Sequence, residues 1–179
     1  MNLDKQLKFN IQEETEQYLA GIRLVHRLAF HADGEAEVVD RLRENCPVFI
    51  SLVAKIGEKV LGHVLFTPAR LIKNQGWSIE GLGLGPLAVL PEYQKLGIGT
   101  GLCVEGLTRA ALAGYPFVVV IGDSAYYPRF GFKKASTFGI RCAYEDVPDE
   151  AFMIKILKPK RMTDVEGVVY YRQEFDSVS

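Results

Sequence analysis

A single domain of the α/β (α+β) class, with a mixed, mostly antiparallel sheet flanked by helices, is the fold this sequence predicts. Three observations predict it: apolar residues at helical spacing in two early segments, hairpin-linked strands through the first half, and strand–helix–strand order in the second. The 179 residues, 48% of them hydrophobic, suffice for one core of ordinary size. No repeat, low-complexity tract or Pro/Ser-rich linker divides them. Residues 1–179 therefore read as one domain, with a core from about 9 to 159 and a polar tail over 160–179.

Each element follows from local pattern. A short apolar piece, Phe9 to Ile11, precedes a helix in which Tyr18, Ile22, Val25 and Ala29 recur behind an acidic first turn that suits the helix dipole. A second helix carries Val38, Val39 and Leu42 on one side and stops before Pro47. The period then changes. "VFISLVAKI" and "KVLGHVLFTPARLI", rich in β-branched and aromatic residues, flank the turn Gly57 to Lys59 and form an antiparallel hairpin. A further turn at Lys73 to Gly76 leads into "WSIEGLGLGPLAVL", a strand whose glycines permit close approach by neighbours.

A helix to about Ala113 follows, with Cys103, Gly106, Leu107 and Ala110 on one face, small side chains that fit a helix lying tight on a sheet. "FVVVIGDS" is a continuous apolar run, as a strand buried on both faces requires. "AYYPRFGF" is a short helix broken at Gly131, and "AFMIKILKP" gives one more strand.

The stretch "LAVLPEYQKLGIGTGL", Leu87 to Leu102, carries the chemistry. A helix start has unpaired N–H groups and a positive dipole end, so a glycine-rich turn there cradles phosphate. Gly97, Ile98, Gly99 and Thr100 sit where such groups project. Two familiar phosphate motifs fail on spacing: G-x-G-x-x-G needs glycine where Leu102 stands, and the P-loop needs G-K-S/T where the chain has Gly101-Leu102-Cys103.

What matches is Gln94-x-x-Gly97-x-Gly99 after a strand ending Leu87-Ala88-Val89, with "YYPRFGF" downstream behind an apolar strand. On these residues, and on element order from about Phe9 to Pro159, the chain resembles the GNAT superfamily of acetyl-CoA-dependent N-acetyltransferases, in its small bacterial branch. The resemblance implies acetyl-CoA as acetyl donor, no metal, and a primary amine as acceptor. It implies that the backbone of Leu87, Ala88 and Val89 pairs with the pantetheine arm. The amides of Lys95, Leu96, Gly97, Ile98, Gly99 and Thr100 then hold the pyrophosphate, and Gln94 shapes the loop. By the family's spacing Tyr127, with Tyr126 beside it, protonates the departing thiolate. The chain departs from the common family pattern in its compact "GDSAYY", which offers Asp123 and Ser124, where many members carry asparagine; capping of the short helix is the preferred role there.

Acetyl transfer needs a neutral amine, an oxyanion donor and a partner for the leaving thiolate. The N–H of Val89 is the expected oxyanion donor. With thiol and tyrosine pKa values near ~8.5 and ~10, full proton transfer from Tyr127 is uphill by roughly 2 kcal/mol, so a late hydrogen bond is enough. For the base, Glu80 and His63 are the candidates, ahead of His26 and His31, each against the alternative of a structural or solvent-facing side chain. Core packing is expected for Cys103, and a solvated edge or a phosphate contact for Lys133 and Lys134.

Composition bounds the partners. Lys plus Arg number 21 against 22 Asp plus Glu, so no global field draws in nucleic acid or an acidic membrane. Three separate cysteines suggest neither a zinc site nor a disulfide framework. No signal peptide or membrane span is evident, which fits the cytoplasm. A homodimer stays open, as do a noncatalytic acyl-CoA-binding module and a transferase for longer acyl chains.

Overall fold

The computed structural model describes residues 7–73 and 76–177; Asn74 and Gln75, the middle of the expected turn at Lys73 to Gly76, lie outside the described residues, as do 1–6 and 178–179. Strand β1 (Asn10–Glu13) leads to helices α1 (Leu19–Phe30) and α2 (Gly34–Asn45). Strands β2 (Ile50–Ile56), β3 (Lys59–Lys73) and β4 (Ser78–Val89) form the predicted antiparallel meander. Helix α3 (Ile98–Leu112) and strand β5 (Phe117–Ile121) follow, then β6 (Lys133–Lys134), β7 (Ile140–Cys142), β8 (Phe152–Ile156) and β9 (Gly167–Tyr170). The strand order is β1-β2-β3-β4-β5-β8-β6, mixed because β4 and β5 run parallel; β9 pairs with β3 and β7.

Helices cover both faces of this sheet. His63 on β3 meets His26 of α1, while Gly62 and Phe66 on the same strand lie against α3. A Cβ at Gly106 would stand 2.2 Å from the Phe66 ring, so glycine there is what lets α3 sit flat. No helix among the described residues is long and apolar enough to cross a membrane.

Two sequence-based expectations change. The acidic run before α1 does not form its first turn. The Glu14 amide instead donates to the Ser51 carbonyl, extending the ladder between β1 and β2, and a 3-10 turn over Glu16–Tyr18 precedes the helix. The stretch from 160 on is no simple polar tail: Met162, Val165 and Val169 are buried, and β9 pairs with β3 where β2 leaves off.

What positions the site is a split in the sheet. The parallel pairing of β4 with β5 is confined to Leu82 with Val118 and Gly83 with Val119. Beyond it β4 stays with β3 and β5 with β8, so the two central strands diverge. A bulge accompanies the divergence: Leu84 opposes Phe66 and Leu87 opposes Val64, leaving the two residues Gly85 and Pro86 against the single Leu65.

Candidate active site

The open edge of β4 is built by alternation. In an antiparallel ladder, hydrogen-bonded and non-hydrogen-bonded pairs alternate. The Leu90 amide donates to the Leu61 carbonyl at 2.8 Å, so Val89 opposite Gly62 and Leu87 opposite Val64 turn their backbone groups away from β3, toward the split. Ala88, opposite His63, turns its groups to β3. Of the three backbone residues expected to meet a pantetheine arm, the geometry therefore leaves two, Leu87 and Val89, and removes Ala88. Gln94 donates from Nε2 to the Val89 carbonyl at 3.2 Å, tying the loop to the strand end.

The loop then turns into α3. Lys95 and Gly97 take left-handed φ values of 62° and 87°, and Gly97 is the N-cap. The first helical bond runs from the Gly101 amide to the Gly97 carbonyl at 2.9 Å, so the amides of Gly97, Ile98, Gly99 and Thr100 have no helical acceptor. The Ile98 side chain is buried and pins the turn to the core, whereas Gln94, Lys95, Leu96, Gly97 and Thr100 are exposed. An exposed turn whose amides lack helical acceptors is what an anion cradle requires.

Between the diverging strands lies a cleft of about 560 Å³. Its walls come from the split itself (Leu84 to Leu87, and Ile121 to Asp123), with Phe30, Glu35 and Val38 from α1 and α2. The chain after β5 adds Tyr126 and Tyr127, and the later segments add Tyr144, Val147, Tyr171 and Phe175. Asp123 shapes the tyrosine turn: its Oδ1 accepts from the Ala125 amide at 2.7 Å and its carbonyl from the amides of Tyr126 and Tyr127, but it does not cap the short helix as expected, since Tyr126 is the N-cap and no side chain caps it.

The two tyrosines are placed differently. The Tyr126 hydroxyl lies 2.9 Å from where a Cβ at Gly99 would stand, beside the amides of the cradle. Tyr127 packs edge-on to Tyr126 and Phe132. Burial, followed by Cys103, Tyr126 and Asp123, pushes its hydroxyl well above the ordinary tyrosine range, so it stays protonated as a donor. Burial likewise pushes the Cys103 thiol up to about 12, which fits core packing and not nucleophilic chemistry.

Neither base candidate is brought to the cleft. His63 is fully buried, with Nδ1 2.8 Å from His26 Nε2 and Nε2 2.8 Å from the Ser51 hydroxyl, which in turn donates to Glu14. Glu80 is exposed, opposite Arg70 on β3, beside a separate surface hollow with Tyr170 and Arg172. His31 caps the end of α1 at the surface. Lys133 and Lys134 are exposed on edge strand β6, where Lys134 pairs with Asp149 at 2.8 Å, the solvated-edge alternative. The carboxylates that do line the cleft are Asp123 and Glu35. Sequence reasoning passed over Glu35, because an acidic first turn is common to most helices, and it passed over Tyr144, Tyr171 and Phe175, which carry no motif. Among the described residues no group of three or more His, Cys, Asp or Glu is placed to hold a metal ion.

A mixed sheet split between its central parallel strands, with a glycine-started helix at the mouth of the split, is the architecture of the N-acetyltransferase class. The chain belongs to the GNAT acetyltransferase family: the acetyltransferase (GNAT) domain model matches residues 10–135. It is 36% identical over 157 residues to the N-acetyltransferase YhbS of Escherichia coli K12, covering 87% of this chain and 92% of that one. It is 34% identical to YjhQ of the same organism, covering 87% of each. Among solved structures, E. coli YhbS in complex with CoA aligns with a TM-score of 0.88 at 33% identity, covering 100% of this chain and 98% of the other. A GNAT acetyltransferase from Brucella melitensis in complex with acetyl-CoA aligns at 0.75 and 37% identity, covering 94% and 99%.

Proposed function

We propose that the protein transfers an acetyl group from acetyl-CoA to a primary amine by direct attack within the cleft between β4 and β5. The observation that carries this is the continuity of the backbone edge that Leu87 and the Val89 N–H turn away from β3 with the amides left without helical acceptors at the start of α3. The two related structures with CoA and acetyl-CoA support it.

The pantetheine arm would lie along Leu87 and Val89 as an added strand, and the pyrophosphate would take the amides of Lys95 to Thr100. The amine lone pair attacks the thioester carbonyl carbon. The developing oxyanion accepts from the Val89 N–H, which faces the split. As the C–S bond breaks, Tyr127 donates a hydrogen bond to the thiolate, while the amine proton leaves through water in the cleft. Because burial raises the Tyr127 pKa, complete proton transfer is more unfavourable than for an ordinary tyrosine, and a strengthening hydrogen bond is the fitting role. The free cysteines Cys46, Cys103 and Cys142 fit a reducing cytoplasm.

The test is acetyl-CoA titration by calorimetry and thiol release with a panel of amines on the same sample. Binding with amine-dependent thiol release is expected. Binding with no turnover on any amine would make the protein a noncatalytic acyl-CoA-binding module.

A further inference from the structure

The cleft's lining is unbalanced in a way that selects an acceptor. Six of its residues are aromatic: Phe30, Tyr126, Tyr127, Tyr144, Tyr171 and Phe175. Tyr144 and Tyr171 stack with centroids 6.1 Å apart and planes within 19°, and Phe175 meets Tyr171 edge-on at 5.9 Å. Among the described residues that line it, the charged ones, Glu35 and Asp123, are both acidic, with no lysine, arginine or histidine. Asp123 already uses Oδ1 to hold the tyrosine turn. Glu35, in the first turn of α2, makes no hydrogen bond or ion pair with any described residue. The Tyr171 hydroxyl, a lining residue's polar tip, is buried without a partner among the described residues.

An unpaired carboxylate beside aromatic faces attracts an ammonium twice, by charge and by the ring quadrupoles. The same acidic lining repels an anionic group, and a hydroxyl-rich body would meet ring faces over most of its surface, with only the tyrosine hydroxyls to bond it. We propose that the acceptor is a hydrophobic primary amine with no anionic group, its ammonium held by Glu35 until one proton passes to water in the cleft and frees the lone pair for attack, and its apolar body laid against Tyr144, Tyr171 and Phe175. This rests on the acetyl-transfer function proposed above.

The experiment uses the full chain, saturating acetyl-CoA and three probes: 2-phenylethylamine, phenylalanine and glucosamine. The expected result is a kcat/KM for 2-phenylethylamine about 10-fold or more above the other two. Glu35→Gln should raise the KM for 2-phenylethylamine about 10-fold, with the KM for acetyl-CoA unchanged. Preference for phenylalanine or glucosamine, or a Glu35→Gln protein indistinguishable from the parent, overturns the proposal. Acetyl-CoA binding with none of the three amines acetylated also overturns it, while acetyl transfer to some other acceptor would survive. Loss of acetyl-CoA binding itself would fell both.

Discussion

The Cδ1–Cε1 edge of the Tyr171 ring lies against Gly83, Cε1 only 2.6 Å from the position a Cβ would occupy there. Gly83 is the last β4 residue paired with β5, so the ring floors the cleft at the point where the strands part. A residue far along the chain thereby completes a cavity that the central strands open.

Gly83→Val should force that ring aside. Aromatic carbons at 2.6 Å cannot accommodate a Cβ without displacement, and overpacking of this kind costs about 2 kcal/mol. Urea denaturation should show the loss, and amine turnover should fall with it. A variant as stable and as active as the parent would mean that the ring does not form the floor.

Gly97→Val tests the cradle with little steric confusion. Nothing lies within 4 Å of a Cβ built at Gly97, yet its φ of 87° is strained for a β-branched residue by about 1–2 kcal/mol. The loop should relax out of its donor geometry and acetyl-CoA affinity should fall by about 10-fold. Calorimetric titration checks this, and unchanged affinity would remove the amides around Gly97 from the cofactor site.

Tyr127→Phe and Tyr126→Phe should separate chemistry from binding. Removal of a thiolate partner is expected to lower kcat about 100-fold with acetyl-CoA affinity nearly intact. The Tyr126 hydroxyl, beside Gly99, should instead act mainly on affinity. Steady-state kinetics and titration on both proteins decide it, and equal kcat in Tyr127→Phe and parent would end the acid role.

Acid should unfold the protein from beneath α1. Burial, then the charges of His63 and Arg43, hold the His26 imidazole well below its ordinary pKa of 6.5. Burial also lowers His63, against the pull of Glu14. Both pKa values are depressed on folding, so the associated stability is full above about pH 6.5 and declines below it, by about 1.4 kcal/mol per pH unit for each proton the folded state refuses. Burial pushes the Glu14 carboxyl up, but hydrogen bonds from His63, Arg43 and Ser51 outweigh it and leave it below the usual carboxylate range, a contribution lost only under stronger acid. Melting temperature should fall from pH 7 to pH 5, and less steeply in His26→Gln. A flat profile in the parent would show that the histidines are charged when folded.

Much of this was legible locally. The helices around Ile22 and Val39, the meander and the strand at Val118 to Val120 rest on periodicity and turn residues, which depend on near neighbours. The short strands β6, β7 and β9 were not legible, because their pairing comes from partners far along the chain and their sequences alternate too briefly to signal it.

By itself the sequence determined the local backbone of the stretch proposed to take the acetyl donor: "LAV" as strand, and "QKLGIGTG" as a helix start with bare amides. Both follow from backbone rules that act within a few residues, such as the left-handed turn at Gly97. Only the tertiary structure decided which backbone groups are free, since register with β3 spends those of Ala88 and spares those of Leu87 and Val89. It alone withdrew His63 and Glu80 from the cleft and brought Glu35, Tyr144, Tyr171 and Phe175 to it. Residues so distant in sequence meet because hydrophobic burial packs α2 and the final segments around the split, and such packing leaves no mark at short spacing.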